Sequence, residues 1–382
     1  MFYLLIQNTR KKCIFAPRFF FCLVMSLDQA NPTFTFCIFR YIIFRLYFTP
    51  NFGFMNPFPV YDSRLSASHL GTFLQTRYSL NDSLQCRILK TGINHSYLLN
   101  DGDKNLIFRI YSYNWRTKTE IEEEIRLLKL LKENGVPVSY PIADATGNFI
   151  QEMMAPEGLR FGVLFSFAEG EKIRSFTSDM SYNIGVAMAR FHQVTQNLTL
   201  ERVTYNVETL LISPLQRAQT FFAAGSETMT FLETSTHKLI EKMKEINLKE
   251  IRTGVVHLDI WFDNMHVRPN GEVTFFDFDF CGNGWQALDL AYFNVQLFNT
   301  EFDVDEYQRK LQRFLEGYET LVKISDEEKN LIPYLAVSLW FFYLGVQCQR
   351  FDDWGNLFIS EDYFKRFIGL IQKWCTKHEL LA

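Results

Sequence analysis

The segment from Val255 to Phe280, VVHLDIWFDNMHVRPNGEVTFFDFDF, constrains this 382-residue chain more than any other. Its Asn270-Gly271 step is flanked by apolar residues and is the strongest short hairpin signal in the sequence. If those two residues form the turn, Val267 opposes Thr274, Met265 opposes Phe276 and Asn264 opposes Asp277. Directly opposed side chains on one face lie about 4.5–5.5 Å apart at Cβ. An amide oxygen and a carboxylate so placed can share a hard cation such as Mg2+, whose remaining ligands are often substrate phosphates. Asp259 precedes Asn264 on a loop entering the same place, free to orient or deprotonate an incoming hydroxyl. Alone, Asn264 or Asp277 would read as a strand-end cap; together with Asp259 they read as a site.

Upstream, the pattern predicts a helix over 64–80, then strands over 86–89, 96–99 and 106–111, with Asp101-Gly102 as a hairpin turn. A helix follows, with Thr119 and Glu122 at capping-box spacing, an apolar face of Ile121, Ile125 and Leu128, and Gly135 past its end. Strands over 148–153 and 160–167 bracket Pro156-Glu157-Gly158, and beyond Gly170 the chain turns mostly helical. A five-stranded sheet with one helix, followed by a helical domain, is an α+β bilobal plan. On the third strand Arg109 faces opposite to Leu106, Phe108 and Ile110, and Glu124 lies on the apolar face of the next helix. A carboxylate there requires a partner, and Arg109 is the natural one, although an ordinary surface ion pair would look the same in sequence.

The spacing H-x-D-x-x-x-x-N followed by a strand-borne Asp resembles the catalytic core of kinases. More narrowly, it resembles the aminoglycoside phosphotransferase and choline kinase-like family, across roughly Pro57 to Trp374. The resemblance implies a protein kinase-like fold: a small antiparallel-sheet N-lobe over 55–168 and a larger, mainly helical C-lobe over 169–382. It implies Asp259 as catalytic base, Asn264 and Asp277 as Mg2+ ligands, and ATP as phosphoryl donor. His257 would brace the loop or simply fill the core. The family often has Gly where this chain has Leu258. Asp279 would back the metal ligands or touch the metal, and Asp289 in GWQALDLAYF would cap a helix and hold the catalytic loop. Arg109 and Glu124 take the place of the kinase Lys–Glu pair that aligns phosphates, with a planar fork in place of a point charge. VLFSFAEG over 163–170 resembles the inter-lobe hinge, with backbone groups of Ser166 and Ala168 at the adenine edge and Phe165 behind it. Thr91 to His95, with one Gly, would cover the phosphates. IGVAMARFH, ending at His192, resembles the family's first large-lobe helix.

The first 54 residues differ from the rest. They hold 12 of the 39 Phe and three of the seven Cys, with six basic groups against one acid. Pro17 and Arg18 interrupt a signal-peptide reading, and Arg40 and Arg45 a membrane span. We expect a misassigned start with Met55 as initiator; a membrane-associated arm is the alternative. The body after the leader carries 33 basic and 42 acidic groups, which speaks against a nucleic-acid binder. No C-x-x-C occurs, so we expect a reducing, cytoplasmic compartment and no membrane association.

The acceptor is the least legible part. Leu331 to Gln349 is 19 residues without a charge, diluted by Pro333, Ser338 and two Gln, and reads as a buried large-lobe helix. Trp340, Tyr343 and Gln347 recur at helical spacing, followed by Asp352, Asp353 and Trp354. Aromatic faces with carboxylates suit a cationic amino-alcohol or aminoglycoside; the same residues would also serve as core and solvated loop. Three readings remain: a small-molecule O-phosphotransferase, a bacterial-type stress-response Ser/Thr protein kinase, and a nucleotide-binding pseudoenzyme. Only Phe278 to Ala287 separates the metal Asp from the next helix, short for an activation segment and so favouring a small acceptor.

Overall fold

Alternating strands with a single amphipathic helix among them build the first part of the body, and the structure, a computed structural model, bears out the α+β kinase-like plan. It describes residues 58–102, 104–350 and 360–380. The leader and Asp352, Asp353 and Trp354 lie outside the described residues. The chain divides into two units between Pro59 and Val60, and the fold below is that of the second.

Helix α1 (Ala67–Tyr78) is followed by β1 (Gln85–Lys90), β2 (His95–Asn100) and β3 (Asn105–Ile110), then α2 (Lys118–Glu133), β4 (Pro141–Ile142), β5 (Ile150–Ala155) and β6 (Gly158–Ser166). These strands form one antiparallel sheet in the order β1-β2-β3-β6-β4, with β5 also paired to β6. The sheet has six strands rather than five, because two-residue β4 is too short to leave a periodic signal. The capping box of α2 is Thr117 with Glu120, two residues before the expected pair. Both pairs fit the S/T-x-x-E pattern, and the earlier one wins because Trp115 and Arg116 just before it are pinned to Asp279.

Strand alternation splits the core. Leu106, Phe108 and Ile110 point to a cluster with Leu70 and Leu74 of α1. The apolar face of α2, with Ile121, Ile125 and Leu128, joins instead the main cluster that continues through the helical lobe.

The large lobe contains α3 (Ser178–Thr195), β7 (Thr204–Tyr205), α4 (Ser213–Ala218), α5 (Glu227–Lys244), β8 (Thr253–Val256), β9 (Met265–Val267), β10 (Val273–Phe275) and β11 (Gly282–Trp285). It closes with α6 (Ala287–Thr300), α7 (Val304–Glu319), α8 (Asp326–Gln349) and α9 (Glu361–Lys377). Helices α3 and α7 cross so closely that a Cβ at Gly185 would lie 2.1 Å from Phe314 O, and one at Gly317 2.1 Å from Tyr182 O. His192, at the end of α3, lies against Asp289. The capping box Ser325–Glu328 opens α8 itself, which runs unbroken through Pro333. Helix α8 is long and apolar enough to cross a membrane, yet 72% of its most apolar window is buried inside the protein.

The hairpin register differs from the expected one by one residue. Val267 pairs with Val273, His266 with Thr274 and Met265 with Phe275. The loop has three residues, Pro269 to Gly271, closed by Arg268 N–H to Glu272 O and Gly271 N–H to Arg268 O. A two-residue Asn-Gly turn needs positive φ at both residues, but only Gly271 (φ 83°) has it. Pro269 sets φ for a type I turn, and Gly271 then supplies the left-handed residue after it. Neighbouring chain holds this register from both edges, with Glu171 bridged to Val267 and Val138 to Phe275.

Candidate active site

A one-residue shift exchanges the faces of a strand, so Asn264 and Asp277 do not oppose each other as expected. Phe276 N–H donates to Asn264 O instead. The two residues stand just beyond the ladder, Asn264 closing the 3-10 turn Phe262–Asn264 and Asp277 in left-handed backbone (φ 66°, ψ 60°). What gathers the site is the loop between β8 and β9.

Two carboxylate oxygens shape that loop. Asp289 accepts from His257 N–H (2.8 Å) and Leu258 N–H (2.7 Å), and His192 Nε2 lies 3.1 Å from it. All three residues and Asp289 are buried. Leu258 takes φ 66°, which turns the chain sharply before Asp259. His257 fixes the turn from inside: its Nε2–H donates to Phe276 O (3.1 Å), and its Nδ1 accepts from Asp259 N–H (3.2 Å). Those partners assign the neutral Nε2–H tautomer, and burial lowers the pKa in the same sense.

Asp259 is half-buried. Tyr292 O–H donates to its Oδ1, and Asn264 Nδ2 to its Oδ2 (2.6 Å) and main-chain O (3.1 Å). Tyr343 O–H holds the adjacent Leu258 carbonyl (2.8 Å). Burial, with the nearby Asp277 charge adding to it, pushes the Asp259 carboxyl up to about 7. Because Asn264 donates through Nδ2, its Oδ1 is left as an oxygen ligand. Asp277 keeps its carboxylate partly exposed. Among the described residues no three His, Cys, Asp or Glu side chains converge on a metal position. An amide oxygen and a carboxylate are the kind of donors that a hard cation completed by phosphate oxygens, such as Mg2+, would take.

Arg109 Nη2 reaches Asp277 Oδ1 (3.2 Å), and its Nη1 reaches Glu124 Oε1 (2.7 Å). The guanidinium lies over the Phe165 ring, 4.8 Å from the centroid. Glu124 is fully buried and also accepts from Tyr111 O–H (2.9 Å). Asp279 takes its hydrogen bonds from other donors. Trp115 Nε1 (2.8 Å) and Arg116 Nε (3.2 Å) donate to its carboxylate. Burial alone would raise its pKa, but Arg116, Arg109 and Arg202 hold it well below the usual carboxylate range. Sequence reasoning missed Trp115, Arg116, Arg202 and Tyr292. Of these, only Tyr292, three residues after Asp289 in the quoted closing motif, carried a usable signal.

At the hinge, Ser166 N–H donates to Tyr140 O (2.9 Å) and Ser166 O accepts from Ser139 Oγ. Ala168 O accepts from His266 Nδ1. Ser112 binds the Thr91–His95 loop, through Asn94 Oδ1 (3.2 Å) and Ile93 O. Trp340 and Tyr343 part company: Trp340 packs edge-on against Trp374 of α9, whereas Tyr343 lies beside Tyr292 and Phe280 at the catalytic loop.

The lobes and this loop define a phosphotransferase of the kinase-like fold, and comparison with known proteins agrees. Residues 86–322 match the phosphotransferase enzyme family, and the chain belongs to that family. It is a phosphotransferase with an alcohol group as acceptor. An uncharacterized protein of Synechocystis sp. is 26% identical over 321 residues, covering 83% of this chain and 87% of that protein. A homoserine kinase of Bradyrhizobium diazoefficiens is 24% identical over 302 residues, covering 77% and 86%. Among solved structures, an amicoumacin kinase in complex with AMP-PNP, Ca2+ and Ami superposes with a TM-score of 0.67 at 21% identity, covering 82% of this chain and 94% of that one.

Proposed function

We propose that this protein transfers the γ-phosphate of Mg·ATP to the hydroxyl of a small, amine-bearing molecule. The observation that carries the reading is Asp259: a half-buried carboxylate raised to about 7, oriented by Tyr292 and Asn264, within the field of Asp277. A base with a pKa near the working pH can accept a proton from an attacking hydroxyl. ATP as donor is supported by the AMP-PNP bound to the amicoumacin kinase. An amine-bearing acceptor is supported by the homoserine kinases and the amicoumacin kinase among the similar proteins.

In this reading Asp259 aligns the acceptor hydroxyl and takes its proton as the phosphoryl group transfers in line. Asn264 Oδ1 and the Asp277 carboxylate would hold Mg2+, which supplies charge neutralisation at the phosphates when bound. Arg109, with Nη1 on Glu124 and Nη2 on Asp277, would orient a phosphate beside Asp277 with the N–H groups those contacts leave over. Residues 55–168 and 169–382 act as two lobes, and the chain from Ser166 to Ala168 would meet the adenine edge against Phe165 only through groups other than Ser166 N–H, Ser166 O and Ala168 O, which bond Tyr140, Ser139 and His266. His257 and Asp289 keep the catalytic loop in its left-handed turn. Tyr343 walls the acceptor side. The stretch after Asp277 favours a small acceptor over a protein: it is a 3-10 turn and β11, leading straight into α6.

The test is ADP release by the full chain, with Mg·ATP and a panel of homoserine, choline, ethanolamine, aminoglycosides and a generic protein substrate, with Asp259→Ala as control. Asp259-dependent turnover of one small acceptor is expected. Turnover with protein alone would refute the small-molecule reading, and ATP binding without turnover of any panel member would refute the amine-bearing acceptor.

A further inference from the structure

Helix α2 carries Glu124, and what holds α2 in place is not the sheet alone. The chain joining α3 to β7 runs along two turns of the helix. Arg126 Nη2 donates to Thr199 O (2.9 Å), Glu201 N–H to Glu123 Oε2 (2.8 Å), and Arg202 Nη1 to Glu120 O (3.0 Å). Arg202 goes further than its neighbours. Its Nη1 lies 3.6 Å from Glu124 Oε2, and its Nη2 donates to the Asp279 carbonyl. The guanidinium is fully buried. One planar group thus ties the helix that bears Glu124 to the main chain two residues past Asp277. Glu124, through its other oxygen, holds Arg109, and Arg109 holds Asp277. The circuit Asp277–Arg109–Glu124–Arg202–Asp279 closes on itself across the two lobes.

We propose that Arg202 is a positioning residue that locks α2 against the large lobe and so keeps the Arg109–Glu124 pair assembled. The inference rests on the reading of Arg109 and Asp277 as phosphate- and metal-facing groups. Removing the fork leaves the buried Glu124 with one cation fewer and the Asp279 carbonyl with Arg116 Nη2 (2.8 Å) as its remaining donor. A lysine cannot replace it, because a single ammonium does not span the carboxylate and the carbonyl as two separated guanidinium nitrogens do. The outer contact of Arg126, a partly exposed pair with Glu123, touches nothing in the circuit.

The experiment compares Arg202→Gln, Arg202→Lys and Arg126→Ala with wild type in the full chain. Hydrogen exchange over residues 118–133, thermal unfolding and steady-state kinetics are measured together. Both Arg202 variants are expected to speed α2 exchange at least about tenfold and lower kcat about ten- to a hundredfold, the cost of a misplaced catalytic group. The acceptor KM should change less than about twofold, since no group touching acceptor is altered. Arg126→Ala should leave kcat at the wild-type level. Arg202→Lys, which keeps charge and most of the volume, is the arm that decides if Arg202→Gln does not fold. Wild-type α2 exchange in the Arg202 variants would overturn the proposal, as would an unchanged kcat. If wild type turns over no acceptor, the functional reading fails and the exchange arm alone decides the brace.

Discussion

Asp289 Oδ1 accepts a 2.7 Å hydrogen bond from the N–H of Leu258, 31 residues earlier in the chain and the one residue of the loop between β8 and β9 in left-handed backbone. The carboxylate caps two successive N–H groups, those of His257 and Leu258, and so defines where Asp259 leaves the turn. A buried carboxylate with N–H donors on both oxygens is a rigid pivot.

Leu258→Gly tests what that pivot holds. Glycine relieves about 1–2 kcal/mol of left-handed strain. The same change deletes a fully buried side chain, worth about 2–5 kcal/mol even when only truncated to alanine. The burial loss wins. We expect a net destabilisation of about 1–3 kcal/mol in urea unfolding, with kcat lowered.

Asp259 governs the pH profile. With its carboxyl raised to about 7, kcat/KM should fall about tenfold per pH unit below that value, because the base must be ionised in the free enzyme. Asp259→Asn should abolish this limb and lower turnover by about 10²–10⁴ at pH 8, measured as ADP release.

The same group affects stability with the opposite preference. The folded state takes up the Asp259 proton more readily than the unfolded chain, so between about pH 4 and 7 stability falls as pH rises. Asp259→Asn removes the buried charge. Its melting temperature at pH 8 should exceed that of wild type, and the two should converge below about pH 4.

Glu124→Ala should be costly. It leaves Arg109 and Arg202 buried beside a missing anion, a loss of about 3–5 kcal/mol. In variants that still fold, the KM for ATP should rise, read from initial rates.

Trp340 and Tyr343 lie on one helix and should separate cleanly. Trp340→Ala should lower stability by up to about 3 kcal/mol through lost contact with Trp374 and leave the acceptor KM unchanged. Tyr343→Phe keeps the packing, frees the Leu258 carbonyl and should lower kcat with little effect on melting.

Local chemistry accounts for what could be read from the chain alone. Strand alternation set Arg109 opposite to Leu106, Phe108 and Ile110, and helix periodicity put Glu124 on the inward face of α2; those periods are properties of the backbone. The kinase-like plan followed because its motif, His257 to Asp277, lies within one short contiguous stretch. The hairpin turn was legible but its register was not. Asn270-Gly271 permits both two- and three-residue loops, and the choice fell to Pro269 and to the edges at Glu171 and Val138.

Contacts between distant segments were decided only by the tertiary structure. Nothing near Arg202 in sequence says that it reaches Glu120, Glu124 and Asp279. Nothing near Trp340 or Tyr343 says which one turns toward α9 and which toward Asp259. Sequence specifies each side chain's period and chemistry, but a buried ion network forms only where packed lobes bring opposite charges together and exclude water. The elements that make up the site were therefore written in the chain, and the brace that keeps them assembled came from how the lobes pack.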